Sequence, residues 1–217
     1  MQYLPRQVES QDSIILLCMM FFLLLVVAKL FYPRRFQEFI ALAINDKYFL
    51  VQGRDDNLWH PFNILLFLAQ WISVSLFLYL IVSKWAPERV AASPYVLLQI
   101  ATAYAVFVMV KALLEKIIGD VFSISKIINR YLYQKLTLRS LIAIFLFIGN
   151  LIFYFIWSPT VTGIVLFSAT TLVLLGISLF YSYKGNSNMI SNNLFYFILY
   201  LCALEISPYL ILYKVVI

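Results

Sequence analysis

The sequence predicts an all-α polytopic membrane protein, with about six transmembrane helices and an amphipathic cytoplasmic segment in one integral membrane domain over residues 1–217. Three observations predict it. Of the 217 residues, 64% are hydrophobic and 12% charged, and mean hydropathy is +0.92, whereas soluble domains sit near half apolar and a quarter charged. The apolar residues gather in continuous runs and do not alternate, which selects helices over a β-barrel, the two solutions that lipid allows. Only 6 Gly, 7 Pro and 2 Cys occur beside 18% aromatics, a balance that excludes collagen, disorder and a disulfide scaffold.

A span needs about 20 mostly apolar residues to cross roughly 30 Å of hydrocarbon. Runs of that order lie at about 13–32, 62–82, 95–114, 141–157, 161–183 and 194–217. The first could pass for a secretory signal, but Glu9 and Asp12 spoil a basic start and no small-x-small cleavage site follows. It is read as an uncleaved span closed by Lys29 before Phe31-Tyr32-Pro33. The connection 34–60 has an apolar face of Phe36, Phe39, Ile40, Ala43 and Ile44, then polar turns at Asp46, Gly53, Asp55, Asp56 and Asn57 that lack calcium-loop spacing.

Between residues 115 and 139, Ile117, Ile118, Val121, Phe122, Ile124, Ile128, Tyr131 and Leu132 recur at roughly helical spacing among Lys116, Asp120, Ser123, Lys126, Arg130 and Gln134. That pattern predicts an amphipathic helix on the cytoplasmic leaflet, or a cytoplasmic extension of the third span. Its Lys126, Arg130, Lys135 and Arg139 suit anionic headgroups or an acidic partner, and equally serve as a topology anchor. Ser158-Pro159-Thr160 is the only break between the fourth and fifth runs, so these form a tight antiparallel hairpin unless the proline merely kinks one long helix. The stretch 185–193 is a polar hairpin connection.

Orientation follows from the basic residues. The net charge is +6 and the pI near 9.3, an excess that cytoplasmic loops facing anionic lipid explain without a nucleic-acid partner. The first, third and fifth connections hold Arg34, Arg35, Lys47, Arg54, Lys111, Lys116, Lys126, Arg130, Lys135, Arg139 and Lys184. The other side holds Arg6, Lys84, Arg89 and Lys214. The positive-inside rule then puts the odd connections in the cytoplasm and both termini outside.

Polar residues inside spans are the candidates for function. Glu205 sits near the centre of the last run, where a carboxylate costs on the order of 3 kcal/mol on insertion scales and so is protonated, paired or wet. Pro208 frees the carbonyl of Leu204 and kinks the helix beside it, and Tyr209 and Tyr213 continue the same stripe. Gln70, Thr102, Tyr104, Asn150, Thr170 and Thr171 lie at similar depth in the other spans, which predicts a polar midplane layer. Such a layer can pack helices, carry protons or ions, or meet a partner's intramembrane group.

Signs of catalysis are few. The sole histidine, His60 before Pro61, cannot make a multi-histidine metal site and is read as an interfacial residue at the start of the second span. There is no H-E-x-x-H, no G-x-S-x-G, no P-loop and no aspartate cluster for magnesium, so no enzyme activity, cofactor or metal is expected. Cys18 and Cys202 sit in apolar runs as small hydrophobes.

The final stretch, LFYFILYLCALEISPYLILYK from Leu194 to Lys214, with its acid and proline in Leu204-Glu205-Ile206-Ser207-Pro208, resembles the C-terminal signature of a family of uncharacterised polytopic inner-membrane proteins from Bacteroidota, a domain of unknown function. The multi-span length and the basic connection around Lys111 to Gly119 extend the likeness. The resemblance implies a Gram-negative inner membrane and transfers no activity. Glu205 and Pro208 are the positions it singles out.

These features together predict a non-enzymatic integral inner-membrane subunit or accessory factor, with a protein partner in the bilayer or at its cytoplasmic face. The alternative is a small proton-coupled transporter or channel in which Glu205 changes protonation. The lack of an internal repeat weighs against that alternative. A lipid-modifying enzyme would have only Asp46, Asp55, Asp56 and His60 to work with.

Overall fold

Asp12 and Lys29 bracket α1 (Asp12–Phe31), the acid in the first turn and the base in the last, each where the helix dipole favours it. The computed structural model describes residues 12–41, 60–121, 125–157 and 159–185, and every regular element among them is helical. Pro33, which needs no amide donor at a helix start, opens the short α2 (Pro33–Ala41). The backbone bonds Tyr32 N–H to Ala28 O and Phe36 N–H to Tyr32 O carry the chain through the junction. At the head of α3 (Pro61–Trp85), His60 is the cap: its Nδ1 accepts from Phe62 N–H at 3.2 Å, and Pro61 takes the first helical position. Pro87 enforces the stop after Trp85 and starts the six-residue α4 (Pro87–Ala92).

Then come α5 (Val96–Val121) and α6 (Ser125–Leu151). The latter runs into one widened π-helical turn, Ile152–Ile156, and Trp157 turns extended at φ −126°, ψ 123°. After Pro159 the chain restarts as α7 (Val161–Gly185), which packs back on α6. The fourth and fifth apolar runs are therefore two antiparallel helices and not one kinked rod. Five helices are long and apolar enough to cross a membrane, over Asp12–Phe31, Pro61–Trp85, Val96–Ile117, Leu132–Ile156 and Val161–Ser178. The chain is a multi-pass membrane protein by that measure, and the sixth apolar run, 194–217, lies outside the described residues.

Two helices hold the bundle together. α3 packs against α1, α5 and α6, and α6 against α3, α5 and α7. Half of the α3 span is buried (50%), against 11% of the α5 span. Apolar residues such as Leu16, Leu23 and Leu30 on α1, Val106, Met109 and Leu113 on α5, and Leu166 and Val173 on α7 are accordingly exposed. In water that surface would drive aggregation, whereas lipid tails are as apolar as the side chains themselves.

The interior has two apolar clusters. In one, Phe21 stacks on Phe147 with ring centroids 3.6 Å apart, Phe22 meets Phe147 edge-on, and Leu24, Ile72 and Leu76 fill the space around them. In the other, Ala28, Phe39, Phe62, Leu66 and Tyr133 pack together. That cluster gathers the end of α1, the phenylalanines of α2, the start of α3 and the early turns of α6 at one end of the bundle. A third contact joins α6 to α7: Phe167 lies against Phe77, Phe145 and Phe153, directly over the bare backbone of Gly149.

Of the two arrangements expected for the connection between the third and fourth spans, the structure has the extension of the third span, and the remainder of the segment opens the next helix. α5 continues to Val121 and α6 begins at Ser125, so the segment 115–139 is divided between the two legs of a helical hairpin. Its apolar spacing fits either arrangement. Leu132, Tyr133, Gln134 and Lys135 are all buried, while Ile117 is exposed.

Candidate functional site

The hairpin brings together charges that the sequence leaves far apart. Lys135 Nζ donates to Glu115 Oε1 at 2.8 Å, and both side chains are only 3% exposed. Lys111, one helical turn back from Glu115 on the same face of α5, is buried as well. Lys135 was expected at a docking surface with Lys126, Arg130 and Arg139, and its place is different: it is spent on an ion pair inside the bundle. Arg139 is half-buried, and the side chains of Lys126 and Arg130 are not among those described.

Deeper in, Gln70 of α3 stands between α5 and α6. Its Nε2 donates to Tyr104 OH at 3.4 Å, and its Oε1 accepts from Ser140 Oγ at 3.5 Å, both at the long end for hydrogen bonds. Gln70 and Tyr104 thus meet as the midplane layer predicts, with Ser140 as a third member. Asn150 is not part of that group. It is fully buried on α6 and donates through Nδ2 to Ser73 O at 2.9 Å, while Ser73 Oγ donates to Ala143 O at 2.8 Å. Asn150 Oδ1 is buried and accepts no hydrogen bond among the described residues.

Trp71 Nε1 reaches Ala101 O at 2.8 Å and Tyr154 OH reaches Leu76 O at 2.9 Å, which ties α3 to α5 and to the π turn. The threonines divide. Thr102 and Thr170 are exposed and bond back to their own helices, at Leu98 O and Gln99 O and at Phe167 O. Thr171 is buried but also bonds Phe167 O. None of the three joins the layer. Glu205, Pro208 and Tyr209 lie outside the described residues.

Sequence reasoning missed Glu115, Ser140 and Ser73. Glu115 falls just past the third apolar run, at the start of the connection, where an acid is unremarkable. The available signal was opposite charge at facing ends of adjoining helices, since Glu115 lies in the last turns of α5 and Lys135 in the early turns of α6. Among the described residues no group of three or more His, Cys, Asp or Glu is placed to hold a metal ion. The arrangement can hold helices in register and keep charge and hydroxyl groups inside an apolar bundle.

No curated protein and no solved structure matches the chain. A family match covers residues 14–216, from the first turn of α1 through the candidate Glu205 and Pro208, and on that extent the chain belongs to the family described as Domain of unknown function (DUF4271).

Proposed function

We propose that this protein is a non-enzymatic integral subunit or accessory factor of a larger complex in a bacterial inner membrane, with both termini on the periplasmic side. One observation carries the reading: the midspan polar side chains are used to fix helix against helix. Gln70 ties α3 to α5 and α6, Ser73 and Asn150 tie α3 to α6, and Trp71 ties α3 to α5. Interhelical bonds of this kind average about 0.6 kcal/mol each, which suits a scaffold better than a reaction centre. The inner membrane follows the resemblance to Bacteroidota proteins, and the orientation follows the excess of Lys and Arg on the odd connections.

The test is affinity purification of the tagged chain from native membranes in mild detergent, with mass spectrometry and stoichiometry, for wild type and Glu205→Gln. A near-stoichiometric partner is expected, and its loss in the variant would put Glu205 at the contact. A chain recovered alone, or only with itself, overturns the reading. A second reading, a small proton-coupled transporter, is favoured by the buried Glu115–Lys135 pair, because ionisable residues within spans commonly serve proton or ion movement.

A further inference from the structure

α1 carries exposed leucines at every seventh position, Leu16, Leu23 and Leu30, with Met19 and Val26 exposed beside them. Seven residues are close to two helical turns, so this stripe keeps to one side of the helix. It ends at Leu30 and Phe31, 72% and 73% exposed, where the span closes and the chain turns through Pro33 into α2. The buried Phe39 and half-buried Phe36 hold α2 to the end of the bundle, in the cluster with Phe62 and Tyr133. Docked in that way, α2 leaves Ile40 and Arg34 exposed, close in sequence to the exposed Lys29 of α1. Neither Lys29 nor Arg34 has an ion-pair partner among the described residues, and Glu38, the acid of α2, is engaged elsewhere.

Leu30, Phe31 and Ile40 are costly to leave in water, and Lys29 and Arg34 are costly to place in hydrocarbon. The boundary between headgroups and acyl chains meets both demands. A topology signal accounts for the cations but not for three large apolar side chains exposed among them. We propose that this corner, where α1 passes into α2, binds an anionic phospholipid, with Lys29 and Arg34 taking the phosphate and an acyl chain running back along Leu30 and Leu23. Leu30 to Leu23 covers about 10 Å of helix, within the roughly 15 Å that one leaflet contributes to the hydrocarbon core. A lipid reaches the corner by lateral diffusion along the apolar stripe of α1. An acidic protein segment would have to bury its backbone beside Leu30 and Phe31 to make the same contacts. The site stands whether the chain acts alone or within a complex.

Site-directed photo-cross-linking of the full chain tests it, in nanodiscs of equal parts phosphatidylglycerol and phosphatidylcholine with matched acyl chains. A benzophenone side chain replaces Ile40 or, as a control at the opposite boundary, the exposed Leu98 of α5, and mass spectrometry counts the lipid adducts. Phosphatidylglycerol is expected to exceed phosphatidylcholine at position 40 by at least about fivefold, with near-equal capture at position 98. Because Lys29 and Arg34 are exposed, Lys29→Gln/Arg34→Gln should accumulate normally and bring the ratio at position 40 down to that at 98. Salt at about 0.5 M should lower the wild-type ratio as well, by screening.

Equal ratios at 40 and 98 in the wild type overturn the proposal. So does a preference at position 40 that survives Lys29→Gln/Arg34→Gln or is indifferent to salt, since other charges or the acyl chains would then be its source. Capture of protein in place of lipid at position 40 also overturns it and makes α2 a protein contact.

Discussion

Replacing Lys135 by Met should damage this protein far more than replacing Lys135 and Glu115 together. The pair sits at 2.8 Å with each side chain 3% exposed, so the single change leaves a carboxylate buried without its cation. Breaking a buried pair in that way costs about 3–5 kcal/mol, whereas exchanging both partners for apolar residues of similar volume is neutral or stabilising by roughly 1–4 kcal/mol. For a chain of this length about 2–4 °C of melting temperature is lost per kcal/mol. The single variant should therefore melt roughly 6–20 °C below wild type, and Glu115→Leu/Lys135→Met clearly above the single variant. Detergent-solubilised protein followed by size exclusion after a heating series gives the ordering directly. A Lys135→Met protein that melts within a degree or two of wild type would refute the argument, because the pair would then be wet or already broken.

Three further outcomes follow from the packing. Gly149→Ala puts a methyl group into the ring of Phe167, which Phe77, Phe145 and Phe153 hold in place; a loss of about 1–3 kcal/mol is expected from overpacking, read as a lower melting temperature, and a neutral result means α7 does not seat there. Phe21→Ala empties a stacked, fully buried position against Phe147 and should cost about 3–5 kcal/mol, checked by a denaturant titration in mixed micelles. Asn150→Leu removes one bond to Ser73 O together with a buried carbonyl that has no described donor. It should change stability by less than about 1 kcal/mol, and a large loss of partner or activity with normal accumulation would mark Asn150 as functional.

Much of the architecture was legible because lipid makes span placement a problem of length and hydropathy. The helices α1, α3 and α7 begin and end within a few residues of the apolar runs, and the fourth and fifth runs separate at Ser158-Pro159 as expected. The long hairpin was harder to see. Lys111, Glu115, Lys135 and Arg139 depress hydropathy at the ends of the third and fourth spans, so a composition scan cuts both helices short and assigns the remainder to the surface. Burial rescues Glu115 and Lys135 by pairing them, and pairing is a property of two segments at once. The same limit applies to the midspan layer: depth along a helix can be counted from sequence, which finds Gln70 and Tyr104, but azimuth depends on neighbours, and Thr102 and Thr170 proved to face outward. Ser73 and Ser140 are ordinary residues in sequence and become polar contacts only because α3 and α6 lie side by side.

The central place of α6 also fixes an order of events during synthesis. α1 and α3 emerge early and can pair at once through Cys18, Phe21, Ile72 and Leu76, but α5 leaves the ribosome with Lys111 and Glu115 before Lys135 has been made. The acid must wait, in water or at the headgroups, until α6 supplies Lys135 as its counter-ion. The hairpin then enters as a pair, its deepest acid already neutralised. A chain interrupted between Val121 and Ser125 would lose that timing even if both fragments were present, and α5 would be the helix left at the membrane surface.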